Sequence, residues 1–368
     1  MSPDRSPSKS ILVIVGGTGF IGSALTRAAH NEGFKGVSLC RRGSHEIDQK
    51  NPSKMPFAAI PHFDLLDDNL TWIPPLGAWI QSKYPNREVV IINCAGVFTN
   101  RPLISNGEGF GHNEIMTRHL IEACKQLNAQ SFIHLSSSTL YASQENKTGI
   151  YEHEVVSEHE LINDYARSKW QCEQIIEQAI TAIPHLRVTI LRPQLVYGPG
   201  EKLFLPPLLR LASSIGLPQT TPLGPLIDIT SVAHLIQAIF CSIRYQNRSS
   251  PAIFNISDGT PIYLLSELKK ICFFLNIPFR TFSISKKNLF LLCHAQKHLF
   301  AFQKALFPFL RKDISHFGPL QAALLSTDRT LDITRAVSLL HYHPSRHTRE
   351  GLHHFATALR AQGRKKAS

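Results

Sequence analysis

The sequence lacks the hallmarks of secreted, membrane-spanning and metal-binding proteins. No stretch approaches the roughly 20 uninterrupted apolar residues that span a bilayer. The polar start MSPDRSPSKS has no apolar core of a secretory signal. The seven cysteines are scattered without a C-x-x-C pair, which argues against a disulfide framework and a zinc knuckle. We therefore expect a cytoplasmic protein whose membrane contact, if any, would be peripheral.

Complete metal-ligand sets are also missing from the sequence. His294 and His298 have metal-ligand spacing on a helix, and further histidines cluster near the C-terminus. No carboxylate or cysteine completes a coordination shell around either group. We predict no metal site.

Positive charge is concentrated in the last quarter of the chain. The net charge is +12, and the part from Lys286 onward holds 14 Lys and Arg against 4 Asp and Glu. Such an excess attracts anionic lipid, an acidic substrate or nucleic acid, or forms an ordinary solvated surface. No recognition motif accompanies it, so we expect no nucleic-acid partner. The apolar helical spacing within Leu289 to Leu310 fits a substrate cover, a membrane-interface helix or an ordinary amphipathic helix.

Short apolar blocks alternate with helical patterns over the first half of the chain. This alternation predicts an α/β fold, a doubly wound parallel sheet of the Rossmann type with a smaller C-terminal substrate lobe. Prolines interrupt the pattern after Gly200. We predict a flexible tail over 1–9, a dinucleotide-binding domain over 10–200 to which 226–257 returns, a substrate lobe over 201–225 and 258–362, and a basic tail over 363–368.

A glycine-rich loop follows the first predicted strand, Ile11–Val15, and precedes the first predicted helix. It reads G-x-G-x-x-G from Gly17, and Gly16 adds an upstream glycine. Glycines there permit a tight turn and close backbone approach to a pyrophosphate, which the helix N-terminus attracts. The residues predicted to contact the pyrophosphate are Gly16, Gly19, Phe20, Ile21 and Gly22.

The second predicted strand ends without the acidic residue that usually binds the ribose of NAD. Cys40 stands there, followed by Arg41 and Arg42. Arginines beside the ribose favour a 2′-phosphate, so we expect NADP or NAD with a slight preference for NADP, unless these arginines simply face water.

Two further strand ends are predicted to border the cofactor. Asp64 and Leu65 follow a third strand and are expected near the adenine. Ala95 and Gly96 end the fourth strand, where small residues allow close passage of the cofactor over the backbone.

Tyr165 and Lys169 lie four residues apart in a predicted helix and therefore share one face. An unperturbed tyrosine ionises near pH ~10, and a nearby cation stabilises the phenolate so that proton transfer becomes competent near neutrality. A hydroxyl from Ser136, Ser137 or Ser138, at the end of a central strand, would bind the same substrate oxygen. The order of glycine loop, serine-tipped strand and Y-x-x-x-K predicts an enzyme.

With these motifs the chain resembles the extended short-chain dehydrogenase/reductase family, the NAD-dependent epimerase/dehydratase superfamily. The resemblance implies hydride transfer at a secondary alcohol or ketone, Ser137 as the catalytic hydroxyl, Tyr165 as acid/base, and Pro193 to Val196 lining the nicotinamide. The resemblance covers nearly the whole chain. The matching pieces are Gly16–Gly22, Asn113 with Thr117, Ser136–Tyr141, Tyr165–Lys169, Arg192–Pro199, Phe254–Gly259, Leu331–Ala336 and Leu340–Pro344.

Departures from the family pattern narrow the expected substrate. Ser138 and Thr139 replace the Asp-Glu pair of the family's dehydratases and do no acid/base work at neutral pH. Gly224 and Pro225 stand where nucleotide-sugar enzymes bring an arginine to the diphosphate. The pattern is most like the 3β-hydroxysteroid dehydrogenase branch, which implies a sterol-like or other lipophilic substrate. Two alternatives stay open: a nucleotide-sugar epimerase, and a non-catalytic NAD(P)-binding protein that serves in assembly or regulation. A homodimer is compatible with the sequence.

Overall fold

The computed structural model describes residues 9–39, 57–60, 63–97, 111–143, 145–155, 157–245, 251–293, 319–345 and 348–367. The strands are β1 (Ser10–Val15), β2 (Lys35–Leu39), β3 (Ala58–Ile60), β4 (Glu88–Asn93), β5 (Ser131–Leu135), β6 (Lys147–Ile150), β7 (Arg187–Pro193), β8 (Val196–Tyr197), β9 (Leu217–Gln219), β10 (Leu226–Ile227), β11 (Thr230–Ser231), β12 (Ala252–Ile256), β13 (Ile262–Tyr263), β14 (Thr281–Ser283) and β15 (Arg329–Leu331). The helices are α1 (Phe20–Asn31), α2 (Ile73–Lys83), α3 (Gly111–Gln126), α4 (Asp164–Ile180), α5 (Leu205–Ser213), α6 (Val232–Arg244), α7 (Leu264–Leu275), α8 (Pro319–Ser326), α9 (Thr334–Leu340) and α10 (Thr348–Ala367).

A seven-stranded parallel sheet in the order β12-β7-β5-β4-β1-β2-β3 forms the centre of the protein. Strand β1, inside the sheet, is buried on both faces, which is why residues 11–15 are continuously apolar rather than alternating. On one face Val13 and Ile91 pack with Leu120 of α3, and on the other Ile14 packs with Leu25 of α1. Helices on both faces confirm the predicted doubly wound fold.

The strand order reverses at β1, which lies between β2 and β4. The chain runs from β1 outward through β2 and β3, then returns to place β4 on the other side of β1. The loops after β1 and β4 consequently leave the sheet in opposite directions and open a crevice at its carboxyl edge, where this class of fold binds its ligands.

A second sheet, in the order β13-β10-β15-β6, joins distant parts of the chain. Strand β6 pairs in parallel with β15, although nearly half of the sequence separates them. The segment 226–257 contributes to both sheets, because β10 lies in the second and β12 in the first. The limits of the substrate lobe stay a prediction.

The apolar segment from Leu289 begins within a helix over residues 286–293. Leu289, Phe290 and Cys293 pack against α8, whereas Leu291 is 65% exposed. The first turns of this helix therefore bury one face against α8 and expose Leu291. Residues 294–310 lie outside the described residues. In the part of the chain that the structure describes, no helix is long and apolar enough to cross a membrane. Peripheral membrane contact stays a prediction.

Candidate active site

The glycine loop is folded so tightly that side chains would not fit. Gly16 has φ of +77°, and a Cβ there would lie 2.9 Å from the backbone nitrogen of Ala95. A Cβ on Gly22 would overlap the Gly16 carbonyl oxygen, and the Gly19 N–H donates to that same oxygen at 2.9 Å. Helix α1 starts at Phe20, within the motif, with no side-chain cap on its first N–H groups. The loop therefore offers a close backbone surface and free donors, which fit a pyrophosphate.

The loop after β4 lies beside the glycine loop and is held by a buried amide. Asn113 of α3 accepts from the Val97 N–H (2.7 Å), donates to the Val97 carbonyl (3.1 Å) and donates to Ser168 Oγ of α4 (3.0 Å). It thereby ties the backbone beside Ala95 and Gly96 to the helix that carries Tyr165. We predicted Asn113 only as part of the family pattern, not as a site residue.

Helix α4 carries Tyr165 in its first turn and Lys169 one turn later. Asn163 caps the helix, its Oδ1 accepting from the Ala166 N–H at 2.8 Å. Lys169 is buried, and its Nζ donates to the Leu135 carbonyl at the end of β5 (2.9 Å). A Cβ on Gly96 would lie 3.4 Å from that Nζ. The ammonium is thus placed between the ends of β4 and β5, and Tyr165 is half-buried on the same helix face.

The three serines after β5 differ in what their hydroxyls contact. Ser136 Oγ donates to Glu173, and Ser138 Oγ donates to Gln194; both serines are buried. Ser137 is half-buried, and its Oγ accepts from the Thr139 N–H at 3.2 Å. Among the three, Ser137 is therefore the one whose hydroxyl is not committed to a buried side chain.

The backbone from Pro193 to Val196 passes along the carboxyl end of β7. The Gln194 N–H donates to the Ile256 carbonyl (3.1 Å), and Thr230 Oγ1 donates to the Gln194 carbonyl (2.7 Å). Strand β8 then pairs with β11 through Val196. This anchoring holds the predicted nicotinamide wall rigidly against the end of the sheet.

Comparison with known proteins decides the family. Residues 12–257 match the model of the NAD dependent epimerase/dehydratase family. The chain belongs to this family. It is also 32% identical over 253 residues to the uncharacterized protein YbjS of Escherichia coli (strain K12), covering 67% of this chain and 72% of that protein. The predictions of an extended short-chain dehydrogenase/reductase and of an NAD-dependent enzyme are confirmed.

Two further similarities extend over most of the chain. UDP-glucose 4-epimerase of Vibrio cholerae is 24% identical over 287 residues, covering 75% of this chain and 78% of that protein. The structure of MoeE5 in complex with UDP-glucuronic acid and NAD matches with a TM-score of 0.67 at 21% identity, covering 96% of this chain and 99% of MoeE5. At that identity the structural match shows a shared fold.

Of the residues predicted to lie near the adenine and its ribose, the structure describes Asp64 and Leu65. Asp64 is exposed, and its Oδ1 accepts from the Leu66 N–H at 3.0 Å. Leu65 is buried, and its carbonyl accepts from His119 Nδ1 at 2.7 Å. Arg41 and Arg42 lie outside the described residues, so their place at the ribose stays a prediction.

A buried ion pair beneath the serine turn was missed by sequence reasoning. Arg192 donates to Glu173 through Nε (2.9 Å) and Nη2 (2.5 Å), and through Nη1 to Tyr141 Oη (2.7 Å). Burial alone would lower the pKa of Arg192, but the hydrogen bonds and charge of Glu173 outweigh it and raise that pKa. Since Glu173 also accepts from Ser136, the pair fixes the turn from which Ser137 projects.

Other titratable groups near Lys169 do not compete with Tyr165. Burial, and then the Lys169 charge, hold the pKa of His134 well below its ordinary value, so the imidazole is neutral. Burial raises the pKa of the Cys94 thiol to about 12 although Lys169 opposes it, so this thiol stays protonated. The described residues contain no group of three potential metal ligands, and His294 and His298 lie outside them.

The packing of the glycine loop leads to a first prediction. Gly22→Ala should weaken cofactor binding by more than about tenfold, because the new methyl group must displace the Gly16 carbonyl from a close-packed loop. The measurement is the cofactor Kd from fluorescence titration. Gly111→Ala is the matched control, since a Cβ on Gly111 meets no atom within 4 Å. Equal Kd values for the two variants would contradict this account of the loop.

Proposed function

We propose that this family member is an NAD(P)-dependent oxidoreductase that transfers hydride at a secondary alcohol or ketone, with Tyr165 as the acid/base. The observation that carries the proposal is the placement of Lys169 Nζ. It lies between the ends of β4 and β5, 2.9 Å from the Leu135 carbonyl, on the helix face that bears Tyr165. Such a cation beside a phenol is what proton transfer at a carbinol oxygen needs.

The proton-transfer step follows from the donors available. An ammonium has three N–H groups, and one is used on the Leu135 carbonyl. The remaining two suit the Tyr165 oxygen and a ribose hydroxyl of the cofactor. Lys169 thereby stabilises the Tyr165 phenolate, which takes the proton from the substrate hydroxyl. In the reverse direction the Tyr165 phenol gives that proton to the carbonyl oxygen. The Ser137 hydroxyl donates to the same substrate oxygen and orients it.

The residues that would hold the cofactor surround this pair. When bound, the nicotinamide accepts or supplies the hydride. The glycine loop and the α1 N-terminus would bind the pyrophosphate, and the backbone from Pro193 to Val196 would keep one face of the ring covered. Residues assigned to cofactor contact are Gly16, Gly19, Phe20, Ile21, Gly22, Arg41, Asp64, Leu65, Ala95, Gly96, Tyr165, Lys169, Pro193 and Val196.

Nucleotide-sugar epimerisation is the second candidate, and the same residues serve it. Oxidation at a sugar carbon followed by reduction from the other face needs only one acid/base pair and one cofactor. Support comes from the similarity to UDP-glucose 4-epimerase, which extends over 78% of that enzyme. A sterol-like substrate has weaker support, since most of the apolar segment 289–310, which was expected to cover such a substrate, lies outside the described residues. Dehydration stays disfavoured, because Ser138 and Thr139 do no general acid/base work at neutral pH.

The test is a substrate screen with each cofactor supplied separately. Purified protein is incubated with NAD(H) or NADP(H) and with nucleotide sugars and hydroxysteroids. Net oxidation or reduction appears as a change in nicotinamide absorbance, whereas epimerisation returns the cofactor and is detected by separating the sugar products. Tight cofactor retention without conversion of any substrate would favour the assembly or regulatory alternative instead.

Cofactor preference gives a second prediction. Changing Arg41 and Arg42 to Ala should raise the Kd of NADP(H) by about 10- to 100-fold and that of NAD(H) much less, because a guanidinium–phosphate contact is a charge-assisted hydrogen bond. The two Kd values are measured by titrating the wild type and the variant with each cofactor. Equal losses for both cofactors would show that the arginines do not read the 2′-phosphate.

A further inference from the structure

Helix α7 carries an exposed aromatic ring beside two cations. Phe273 is 88% exposed, more than any other large apolar side chain among the described residues. Lys269 and Lys270 lie one turn earlier on the same helix and are exposed as well, and residues three and four apart on a helix are neighbours. The opposite side of α7 is buried through Leu268 and Ile271. The phenyl ring therefore projects into solvent beside two ammonium groups.

Helix α10 packs along α7 and brings two guanidinium groups to the same surface. The Arg360 guanidinium lies over the Phe274 ring, 5.4 Å from its centroid, and the His353 ring packs against Phe274 at 5.0 Å. Arg349 Nε lies 3.3 Å from Glu267 Oε1. Arg349, His353 and Arg360 follow the spacing of one helix stripe, so this stripe of α10 faces α7. The resulting α7–α10 surface comprises Lys269, Lys270, Phe273, Arg349 and Arg360.

Little negative charge opposes the four cations of this surface. Glu267 lies between the two helices, but its carboxylate is buried and shared by Lys270 at 2.7 Å and Arg349 at 3.3 Å. Glu350, next to Arg349, is exposed. From 202 to 285 the chain has three acidic residues, and all are buried: Asp228, Asp258 and Glu267. The two glutamates offset half of the four positive charges, so the α7–α10 surface presents net positive charge to solvent.

An exposed ring surrounded by cations has the chemistry of an interfacial membrane contact. Aromatic rings are stable at the level of the lipid headgroups, because one part of that layer is apolar and the other is wet. Lysine and arginine next to the ring are attracted by anionic lipids. A nucleic acid is a weaker match, since sites for single strands present several stacking rings along a groove, whereas the α7–α10 surface has the single exposed ring of Phe273 on two adjacent helices.

We propose that the α7–α10 surface docks the protein reversibly on an anionic lipid bilayer. The Phe273 ring enters the headgroup layer, and the four cations lie against the lipid charges. Electrostatic attraction fades within a Debye length and is screened by salt, whereas burial of the ring is much less sensitive to salt. The docking surface uses no residue of the apolar segment 289–310, and it does not depend on the reaction at Tyr165.

The test is cosedimentation of the full-length protein with phosphatidylcholine vesicles that contain or lack phosphatidylserine. Wild type should bind the vesicles with phosphatidylserine about tenfold or more tightly than those without it, and should dissociate as salt rises. Phe273→Ser should weaken binding by about tenfold or more at every salt concentration, because burial of the phenyl ring is lost. Lys269→Gln should weaken binding by about fivefold at low salt and less at high salt.

Matched controls remove the same kinds of side chain elsewhere. Leu291→Ser removes a leucine that is 65% exposed, and Lys125→Gln removes an exposed lysine of α3. Each should change vesicle binding by less than about twofold, because these positions lie outside the docking surface. Phe273→Trp should still bind, and its fluorescence should shift to shorter wavelength with phosphatidylserine vesicles as the ring leaves water. Phe273→Ser should keep the Tm of wild type, since the ring that it removes is exposed.

Three results would overturn the proposal. Wild type that ignores phosphatidylserine vesicles at low salt has no anionic membrane contact. Phe273→Ser that binds like wild type excludes the ring, and a loss confined to Leu291→Ser assigns membrane contact to the segment that starts at Leu289. Tighter binding of single-stranded or duplex DNA than of the vesicles, with the same loss in Lys269→Gln, would make the α7–α10 surface a nucleic-acid site instead.

Discussion

Tyr165→Phe is expected to lower kcat by about 10²- to 10⁴-fold, the range that a positioned general acid/base contributes. The phenol oxygen is the only atom removed, and it is the one that takes or returns the substrate proton. Lys169 keeps its bond to the Leu135 carbonyl, so the cofactor Kd should change less than about twofold. Initial rates with the best substrate of the screen, together with cofactor titration, measure both quantities.

Two further variants make this result specific. Tyr151→Phe removes a phenol that is 49% exposed and should leave kcat unchanged. Lys169→Met should reduce kcat and weaken the cofactor together, because its N–H groups are assigned to both the phenol and the ribose. Near-normal turnover in Tyr165→Phe would exclude this tyrosine as the acid/base and with it the proposed function.

Local patterns made the tight glycine loop and the shared helix of Tyr165 and Lys169 predictable from sequence. Glycines between an apolar strand and a helix have few other uses, and four-residue spacing fixes a common helix face. Boundaries were less accurate: α1 begins at Phe20, inside the glycine motif rather than after it, because Gly19 serves as the residue before the first turn. The first N–H groups of α1 thus lie inside the motif that we assign to the pyrophosphate.

Long-range contacts were not predictable in the same way. The pairing of β6 with β15 joins Lys147 to Arg329, and both strands are too short to show a periodicity of their own. Glu173 lies on an otherwise ordinary helix face, and nothing local indicates that it is buried against Arg192.

Breaking the buried ion pair Glu173–Arg192 should strongly destabilise the fold. The side chains are 5% and 4% exposed, so removing one charge leaves the other buried and uncompensated. Glu173→Leu should therefore lower the free energy of unfolding by about 3–5 kcal/mol. Urea unfolding followed by circular dichroism measures this loss, with the slope of the transition checked for a change in cooperativity.

The matched control is the ion pair of Arg167 with Asp164 on the same helix, at 2.7 Å with 40% and 68% exposure. Solvent screens that pair, so Arg167→Met should lower the free energy of unfolding by less than about 1 kcal/mol. Combining Glu173→Leu with Arg192→Met should restore part of the stability lost in Glu173→Leu, because no lone charge is then left buried. Full recovery is not expected, since Arg192 also donates to Tyr141 at 2.7 Å. If Glu173→Leu were as stable as Arg167→Met, the pair would not be holding the turn that presents Ser137.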